Sequence, residues 1–379
     1  MLVQHRDVRT ASKVLVWDFP VRFFHWSLAG CFVTAWLTRD SRYLDIHVFA
    51  GYLMLGLILF RLLWGFIGSP YARFSNFAFG LVEVLGYLQG VLHRRPPHFL
   101  GHNPAGSWAI YLLLGLGLLI TTTGLLVLGG EERHGLFAGL LSFSQGDVVH
   151  QIHELLAWLM LGMVVVHLFG VLVESLLHKE NLVQAMVTGY KPSLEPKTSV
   201  VSHWKTATFM LLVMITAGSY WFYGYLIDTQ EHPYRPFIGP QLADHAWWRD
   251  ECGSCHLAFH PSLLPARSWK AMMDGQASHF GEDLFLEQDA VQEIESFLME
   301  NAAEQEPTEA AWQINRSIPN TQAPLRITET SFWLETHQGI ADATWQQLTV
   351  SSKANCAACH LDADEGTFED AAMRIPVQL

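Results

Sequence analysis

Long uncharged stretches of apolar residues dominate the first 225 residues of the chain. A helix needs about 20 predominantly apolar residues to cross a bilayer. Five stretches meet this requirement, at residues 19–38, 46–67, 107–129, 149–177 and 204–227. A sixth, residues 74–92, contains Glu83, Gln89 and several glycines, and is more typical of a helix lying in the membrane interface. The sequence therefore predicts five transmembrane helices and one interfacial helix.

The charged residues divide the chain into two different halves. From residue 226 onward there are 24 Asp and Glu against 8 Lys and Arg, whereas the preceding residues carry 12 acids and 15 bases. An almost neutral apolar half is thus joined to a half with a net charge of −16. This pattern is typical of a membrane domain followed by an acidic soluble domain, and it excludes nucleic acid as a partner because a polyanion would be repelled.

The Lys and Arg residues near the predicted span ends indicate the orientation. They concentrate in the N-terminal segment, in the second-to-third connection and in the fourth-to-fifth connection. With five spans, these segments lie on one side, which the positive-inside rule makes cytoplasmic. The protein is therefore expected in a bacterial inner membrane, with its N-terminus cytoplasmic and its C-terminal domain periplasmic.

Four histidines lie within or at the ends of the predicted spans, namely His25, His47, His153 and His167. Ionisable groups inside a membrane are costly and usually functional. His153 and His167 are fourteen residues apart, so they differ by about 40° around a helix and by about 21 Å along it. The predicted topology puts His25 at the depth of His167 and His47 at the depth of His153. Two bis-histidine b haems are expected, one in each leaflet.

Two copies of Cys-x-x-Cys-His follow in the acidic half. They use Cys252 and Cys255 before His256, and Cys356 and Cys359 before His360, which is four of the five cysteines. In this motif two thiols form thioethers to one haem and the adjoining histidine ligates its iron. A zinc site is the alternative, but zinc does not require a histidine directly after each second cysteine. The motifs predict two covalent c haems with His256 and His360 as proximal ligands.

The membrane half resembles the prokaryotic cytochrome b561 family over residues 12 to 190. The stretches that carry the resemblance are Val16-Trp-Asp-Phe-Pro-Val-Arg-Phe-Phe-His25-Trp, His47-Val-Phe-Ala-Gly-Tyr, Arg61-Leu-Leu-Trp-Gly-Phe-Ile-Gly, Gly101-His-Asn-Pro-Ala-Gly and His153-Glu-Leu-Leu-Ala-Trp through His167. The resemblance implies a four-helix bundle that holds two b haems and exchanges electrons with ubiquinone or menaquinone. The cytochrome b561 family includes the b-type subunits of nickel–iron hydrogenases.

Two polar sites in this half have open interpretations. Arg61 is fourteen residues after His47, so it lies on the same helix face near the cytoplasmic haem. It is expected either to bind a haem propionate or a quinone oxygen, or to extend to the interface. The residues His102 and Asn103 precede the third span and predict a turn and helix start, with a role in a quinone site as the alternative.

The acidic half resembles the dihaem cytochrome c family over residues 247 to 376. The resemblance is carried by Leu263-Leu-Pro-Ala-Arg-Ser-Trp-Lys, His279-Phe-Gly-Glu-Asp, Ile327-Thr-Glu-Thr, Trp333, His337 and the second haem motif. The residues alone leave His245, His260, His279 and His337 equally open as distal ligands. The resemblance implies His279 and His337, and a surface position for His260. Proximity in the chain suggests pairing His279 with His256 and His337 with His360.

The sequence thus predicts an all-α protein. The expected domains are a b561-like membrane domain at 1–200, a fifth transmembrane helix and linker at 201–240, and a small, mostly helical dihaem domain at 241–379. The expected function is electron transfer between the quinol pool and a periplasmic soluble cytochrome or other redox protein. The alternatives are a quinone-coupled oxidoreductase for superoxide or another small molecule, which an acidic domain disfavours, and the cytochrome subunit of a larger hydrogenase or dehydrogenase complex. No nucleophile, general base or phosphate-binding loop is evident.

Overall fold

The structure is a computed structural model that describes residues 12–40, 43–193, 199–225, 234 and 239–376. The side chains of residues 221–225 and 371 are outside this description, as is most of the predicted linker after the fifth span. The chain divides into two compact units, one made of residues 1–124 and 151–227 and the other of residues 125–150 and 228–379. The segment 125–150, which the predicted boundaries assign to the membrane domain, therefore belongs to the second unit.

The described elements are almost all helices, as the sequence predicts. In chain order they are β1 Ser12–Leu15, α1 Phe19–Leu37, α2 Leu44–Ile67, α3 Leu81–Leu92, α4 Pro104–Gly130, α5 Phe143–His178, α6 Leu182–Thr188, β2 Tyr190–Ser193, α7 Trp204–Tyr225, α8 Ala246–Cys252, α9 Ala266–Asp274, α10 Gln288–Glu300, α11 Glu309–Ser317, α12 Ser331–His337 and α13 Asp342–Trp345.

Three described helices are long and apolar enough to cross a membrane, namely α2, α4 and α5. The other two predicted spans correspond to α1 and α7, which have 19 and 22 residues but a less apolar composition. The predicted interfacial helix is shorter than expected. A 3₁₀ turn occupies Phe74–Asn76, and α3 begins only after Gly80, where the Glu83 carboxylate caps the backbone N–H of Gly80 at 2.7 Å.

An apolar core joins α1, α2, α4 and α5 in the first unit. Its buried members include Phe24, Cys31, Leu57, Ile120 and Met160. Burial of such side chains contributes about 1.5–3 kcal/mol each in water, but in lipid the close packing itself must hold the helices together. Cys31 lies in this apolar core and is only 7% exposed.

Asp18 begins α1 and ties it to α2. One carboxylate oxygen accepts the backbone N–H of Val21 at 2.9 Å, which is the usual N-cap interaction. The other accepts the indole N–H of Trp64 at 3.1 Å, and Asp18 is fully buried. The pre-organised φ of Pro20 suits the first turn. The Trp-Asp-Phe-Pro sequence thus sets both the start of α1 and its contact with α2.

A short antiparallel sheet was not predicted from the sequence. β1 pairs with β2 in the register Ser12↔Ser193 to Leu15↔Tyr190. The pairing joins the segment before α1 to the segment that follows α6. Four residues on each strand are too few to produce a recognisable alternating pattern.

The second unit has its own core around α8, α9 and α10. Its buried members include Trp248, Leu264, Trp269, Ile294 and Leu298. The acidic segment 301–309 contains the 3₁₀ turn Ala303–Gln305. Ala302 and Ala303 are 1% and 0% exposed. Small apolar residues allow this turn to pack despite its neighbouring acids.

Replacing Asp18 by Ala is expected to weaken the first unit by about 1–2 kcal/mol, because an N-cap and a buried hydrogen-bond acceptor are lost together. The check is thermal loss of the b-haem Soret band in detergent, with Trp64→Phe as the control that removes only the indole hydrogen bond. The Asp18 variant should lose the band at a lower temperature than Trp64→Phe. Equal midpoints would show that the cap contributes nothing.

Candidate functional site

His25 and His167 face each other within the first unit. Their ring centroids are 6.3 Å apart, with 52° between the ring planes. His25 follows the Asp18 cap by about two helical turns, and His167 lies in the middle of α5. The Nδ1 atom of His25 is buried and has no hydrogen-bond partner among the described residues. The two rings are therefore held by the packing of α1 and α5.

His47 and His153 form a second pair with ring centroids 6.1 Å apart. The Nδ1 atom of His47 is 2.9 Å from the carbonyl oxygen of Ala35. The Nδ1 atom of His153 is 3.0 Å from the hydroxyl of Thr123. That hydroxyl also donates to the carbonyl of Leu119 at 2.9 Å, so it accepts from the imidazole. Each histidine thus uses Nδ1 for a hydrogen bond. Its other ring nitrogen, Nε2, points the opposite way and could bind a metal.

Gly124 allows this second pair to approach α4. A Cβ atom at this position would lie 3.1 Å from Cε1 of His153. Such a contact is tighter than ordinary van der Waals separation, so a larger residue would displace the ring. The Thr123-Gly124 sequence therefore supplies both the hydrogen bond and the space for His153.

The first Cys-x-x-Cys-His motif begins at the end of α8. Cys252 is the last residue of this helix, and Gly253 follows as its C-cap. The ring of His256 lies 6.3 Å from that of His279, centroid to centroid. His279 is held in a tight turn, in which its backbone N–H donates to the carbonyl of Glu282 at 2.7 Å. Gly281 has φ of +106° in this turn, a conformation that favours glycine.

The second motif lies in a 3₁₀ turn at Cys356–Ala358. Its His360 ring is 6.3 Å from the ring of His337, the last residue of α12. The indole of Trp333 stacks on the His337 ring at 4.3 Å with only 11° between the planes. The Nδ1 atom of His337 is 2.9 Å from the carbonyl oxygen of Trp333. A stacked aromatic and a hydrogen bond thus orient this ring.

Other histidines in the second unit have different roles. The Nδ1 atom of His245 caps α8 by accepting the backbone N–H of Trp248 at 3.1 Å. His260 was expected on the surface, and this expectation is wrong because it is only 6% exposed. Its Nδ1 accepts the backbone N–H of Ser262 at 3.2 Å and begins a 3₁₀ turn. His150 is exposed, as predicted, and binds Glu131 at 2.8 Å.

Arg61 and His102 form a buried polar site in the first unit. Arg61 is 3% exposed, so it does not extend to the interface, and its guanidinium lies 4.8 Å from the ring centroid of Phe74. The ring of His102 lies between those of Trp17 and Phe77, at 4.6 and 4.3 Å. Arg61 Nη1 and His102 Nδ1 have no hydrogen-bond partner within the described residues. This pair of polar groups is suited to binding an oxygen ligand.

The electrostatics of this site keep His102 neutral. Burial, together with the positive charges of Arg61 and Lys191, lowers the pKa of His102 to about 3. A neutral imidazole can donate from one nitrogen and accept at the other. Asn103 has the predicted helix-start role, since its side-chain oxygen accepts the backbone N–H of Gly106 at 2.6 Å.

Comparison with known families assigns both halves of the chain. The family described as prokaryotic cytochrome b561 matches residues 16–189, and the family described as dihaem cytochrome c matches residues 248–368. The dihaem cytochrome c from Rhodobacter sphaeroides, whose structure is solved, is 36% identical, with 34% of this chain and 100% of that chain covered and a TM-score of 0.31. The new dihaem cytochrome c from Shewanella baltica is 30% identical, with 35% and 92% covered and a TM-score of 0.29.

The chain is a membrane cytochrome that joins a cytochrome b561 domain to a dihaem cytochrome c domain. Its b561 half is similar to proteins described as probable Ni/Fe-hydrogenase B-type cytochrome subunits. The one from Rhizobium leguminosarum is 28% identical over 213 residues, covering 47% of this chain and 88% of the relative. The one from Escherichia coli is 24% identical over 214 residues, covering 46% and 89%. The cytochrome is accordingly an electron carrier with haem b and haem c.

The four imidazole pairs of the cytochrome fit this cofactor set. Bonds from a metal to an imidazole nitrogen are about 2 Å, so two rings on opposite sides of one metal have centroids about 6 Å apart. The separations of 6.1 to 6.3 Å match this spacing in each pair. Two of the pairs adjoin a thiol pair suited to covalent attachment, and two do not.

Sequence reasoning missed the residues that orient the paired imidazoles. Thr123, Trp333 and the carbonyl of Ala35 contact His153, His337 and His47, but no motif marks them. The spacing of Trp333 and His337, four residues apart, was available as a signal because such residues lie on one helix face. Thr123 and Ala35 contact histidines on other helices, and no local pattern reveals such contacts.

Proposed function

We propose that the cytochrome is a tetrahaem electron-transfer protein that moves electrons between the quinone pool and a periplasmic redox protein. The observation that carries the proposal is the set of four imidazole pairs with nearly equal separations. One b haem would be held by His25 and His167 and the other by His47 and His153. One c haem would be held by His256 and His279, with thioethers to Cys252 and Cys255. The other would be held by His360 and His337, with thioethers to Cys356 and Cys359.

The chain's own part in this function is to hold and tune the cofactors. Haem supplies one-electron redox chemistry when bound. Two histidines at each site would hold the haem iron, and this would favour electron transfer over binding of oxygen. The hydrogen bonds to Nδ1 of His47, His153 and His337 fix the ring tautomer and raise the basicity of the ligating nitrogen.

The proposed topology has five transmembrane helices in a bacterial inner membrane, with the N-terminus cytoplasmic and the dihaem domain periplasmic. The distribution of Lys and Arg over the connections supports this orientation. The net charge of −16 after residue 225 supports a basic rather than an acidic surface on the soluble partner. The partner would be a soluble cytochrome or another small redox protein.

The site formed by Arg61 and His102 is the proposed place of quinone binding. Its buried cation and neutral imidazole would both hydrogen-bond to a quinone carbonyl oxygen. The aromatic rings of Trp17, Phe74 and Phe77 would enclose an apolar ring. Lipid-soluble quinones need such a mixture of apolar walls and a few polar groups.

A row of titratable groups leads from Tyr87, whose hydroxyl interacts with the side chain of Asn103, to the surface of the first unit. The hydroxyl of Tyr87 donates to Glu174 at 2.6 Å, and Glu174 is 3.3 Å from His178. The ring of His178 is 5.1 Å from that of His98, which is nearly half exposed and binds Glu180 at 2.7 Å. Quinone reduction consumes protons and quinol oxidation releases them, so this row is suited to carry protons to or from the site.

The relatives favour one further candidate function, the cytochrome subunit of a larger complex. They are described as hydrogenase B-type cytochrome subunits and share the b561 half only. Purification from native membranes in mild detergent distinguishes the two functions. A stoichiometric catalytic subunit that copurifies would support the complex, whereas a homogeneous preparation that oxidises quinol would support the independent carrier.

Replacing His167 by Ala is expected to remove one b haem per chain, because one axial ligand of that haem is lost. Pyridine haemochrome quantitation should then give about half of the wild-type haem b and unchanged haem c. The control is His93→Ala, which changes an exposed histidine bonded only to the Gln89 carbonyl of its own helix end. A His167 variant with the full haem b content would contradict the assignment.

Replacing Thr123 by Val is expected to raise the midpoint potential of the b haem held by His153. Loss of the hydrogen bond makes the imidazole less basic and stabilises ferric iron less. A bond worth about 1 kcal/mol corresponds to about 40 mV for one electron. Potentiometric titration of the α-bands measures the shift. The neighbouring Thr122→Val is the control, since the Thr122 hydroxyl bonds only to its own helix at Leu118, and it should leave both b-haem potentials unchanged.

Replacing Arg61 by Gln is expected to raise the apparent KM for quinol at least about 10-fold, since a charge-assisted hydrogen bond of about 1.5–3 kcal/mol is lost. Steady-state oxidation of a soluble quinol by the full-length protein measures the change, together with both b-haem potentials. An unchanged KM with one shifted potential would instead assign Arg61 to a haem propionate and contradict the quinone site.

A further inference from the structure

A second cluster of potential ligands lies in the second unit and does not include any of the paired histidines. Within the described part of the chain, Glu132, His134 and Glu369 bring one ligand atom each to within 4.8 Å of one another. His134 is 6% exposed and Glu369 is 5% exposed. Glu132 and His134 belong to the connection between α4 and α5, and Glu369 follows the second haem motif. The cluster thus joins two segments far apart in sequence.

The surroundings of this cluster are strongly acidic. Burial, together with the negative charges of Glu132, Glu309 and two aspartates, raises the pKa of Glu369 to about 9. Burial also raises the pKa of Glu309 to about 7, with contributions from Glu131 and Asp370. Carboxylates that share a poorly hydrated space cannot all remain ionised without a counter-charge.

Two basic groups lie near these acids. The guanidinium of Arg133 interacts with Glu369 and lies over the ring of Phe143 at 4.4 Å. His150 binds Glu131 on the exposed side. A proton or a bound cation at Glu369 would supply further positive charge beside these carboxylates.

The donor atoms favour a metal ion over protons. Three different side chains bring one potential ligand atom each to the same place, and one of them is a histidine. Two carboxyl groups that were neutralised by protons alone would not need a histidine beside them. An imidazole nitrogen with two carboxylate oxygens suits Zn²⁺ or Mn²⁺, whereas Ca²⁺ and Mg²⁺ prefer oxygen ligands alone. With metal–ligand bonds of about 2.0–2.2 Å, donors on one ion lie within about 4.4 Å of one another, so small side-chain rotations complete the site.

We propose that Glu132, His134 and Glu369 bind one divalent transition-metal ion of the Zn²⁺ or Mn²⁺ class. The ion would cross-link the α4–α5 connection to the turn after the second haem motif, at Glu369. Its role is structural, because it neutralises buried carboxylates and fixes two segments of the same unit. The proposal does not depend on the quinone site or on the assignment of the haem ligands.

Metal analysis of the full-length haem-loaded protein tests this site. The protein is treated with EDTA, dialysed, and incubated separately with Zn²⁺ and with Mn²⁺. Bound metal is then measured by inductively coupled plasma mass spectrometry against protein concentration from amino-acid analysis. One equivalent of Zn²⁺ or Mn²⁺ per chain is expected to bind tightly, and its addition should raise the thermal midpoint of the c-domain haem signal.

Variants separate this site from other metal-binding groups. Glu369→Gln keeps the side-chain shape and is expected to lower the affinity for the ion at least 10-fold, as is His134→Asn. Asp364→Asn is the matched control, because it removes an exposed carboxylate of the same turn and should bind the ion like the wild type. Equal binding by wild type and Glu369→Gln would overturn the proposal. So would the absence of stoichiometric binding to the chelated wild type, which would leave protons as the counter-charge.

Discussion

The structure depends on the opposition of imidazole rings in pairs. Each pair holds its two rings with centroids 6.1 to 6.3 Å apart, which is the spacing that two imidazoles bound to one iron would need. In the first unit this requirement falls on helix packing, because α1 faces α5 at His25 and α2 faces α5 at His47. The Asp18 cap and its bond to Trp64 then matter for function, since they set the position of α1 relative to α2.

The second unit meets the same requirement with short helices and turns. His279 and His360 both lie in turns, and His337 ends a helix of only seven residues. The local environments also differ among the paired histidines. The Nδ1 atoms of His25 and His360 are buried without a hydrogen-bond partner among the described residues, whereas those of His47 and His337 have one. Such differences in ligand basicity are one means by which a protein sets different potentials on similar haems.

Features that depend on spacing along one helix could be predicted from the sequence. The shared face of His153 and His167 follows from their separation, and the partners follow from depth in the membrane. The family membership and the helical class are confirmed by the comparisons. The distal ligands of the c haems could not be deduced from spacing, because His245, His260, His279 and His337 are all near a motif. Resemblance, not periodicity, singled out His279 and His337.

Long-range contacts account for what the sequence did not indicate. The β1–β2 pairing joins segments almost 180 residues apart, and the meeting of Glu132 and His134 with Glu369 is equally remote in sequence. Burial of His260 was missed because its partner, Ser262, forms a local turn that no apolar pattern marks. Such contacts arise from packing between elements, which local propensity does not encode.

Haem quantitation on the purified full-length protein tests the central claim most directly. Pyridine haemochrome spectra, read against protein concentration from amino-acid analysis, give the numbers of haem b and haem c per chain. Two of each are expected, because four imidazole pairs are held at ligating separation and two of them adjoin Cys-x-x-Cys-His motifs. One haem b per chain, or any haem c content other than two, would contradict the proposed tetrahaem arrangement.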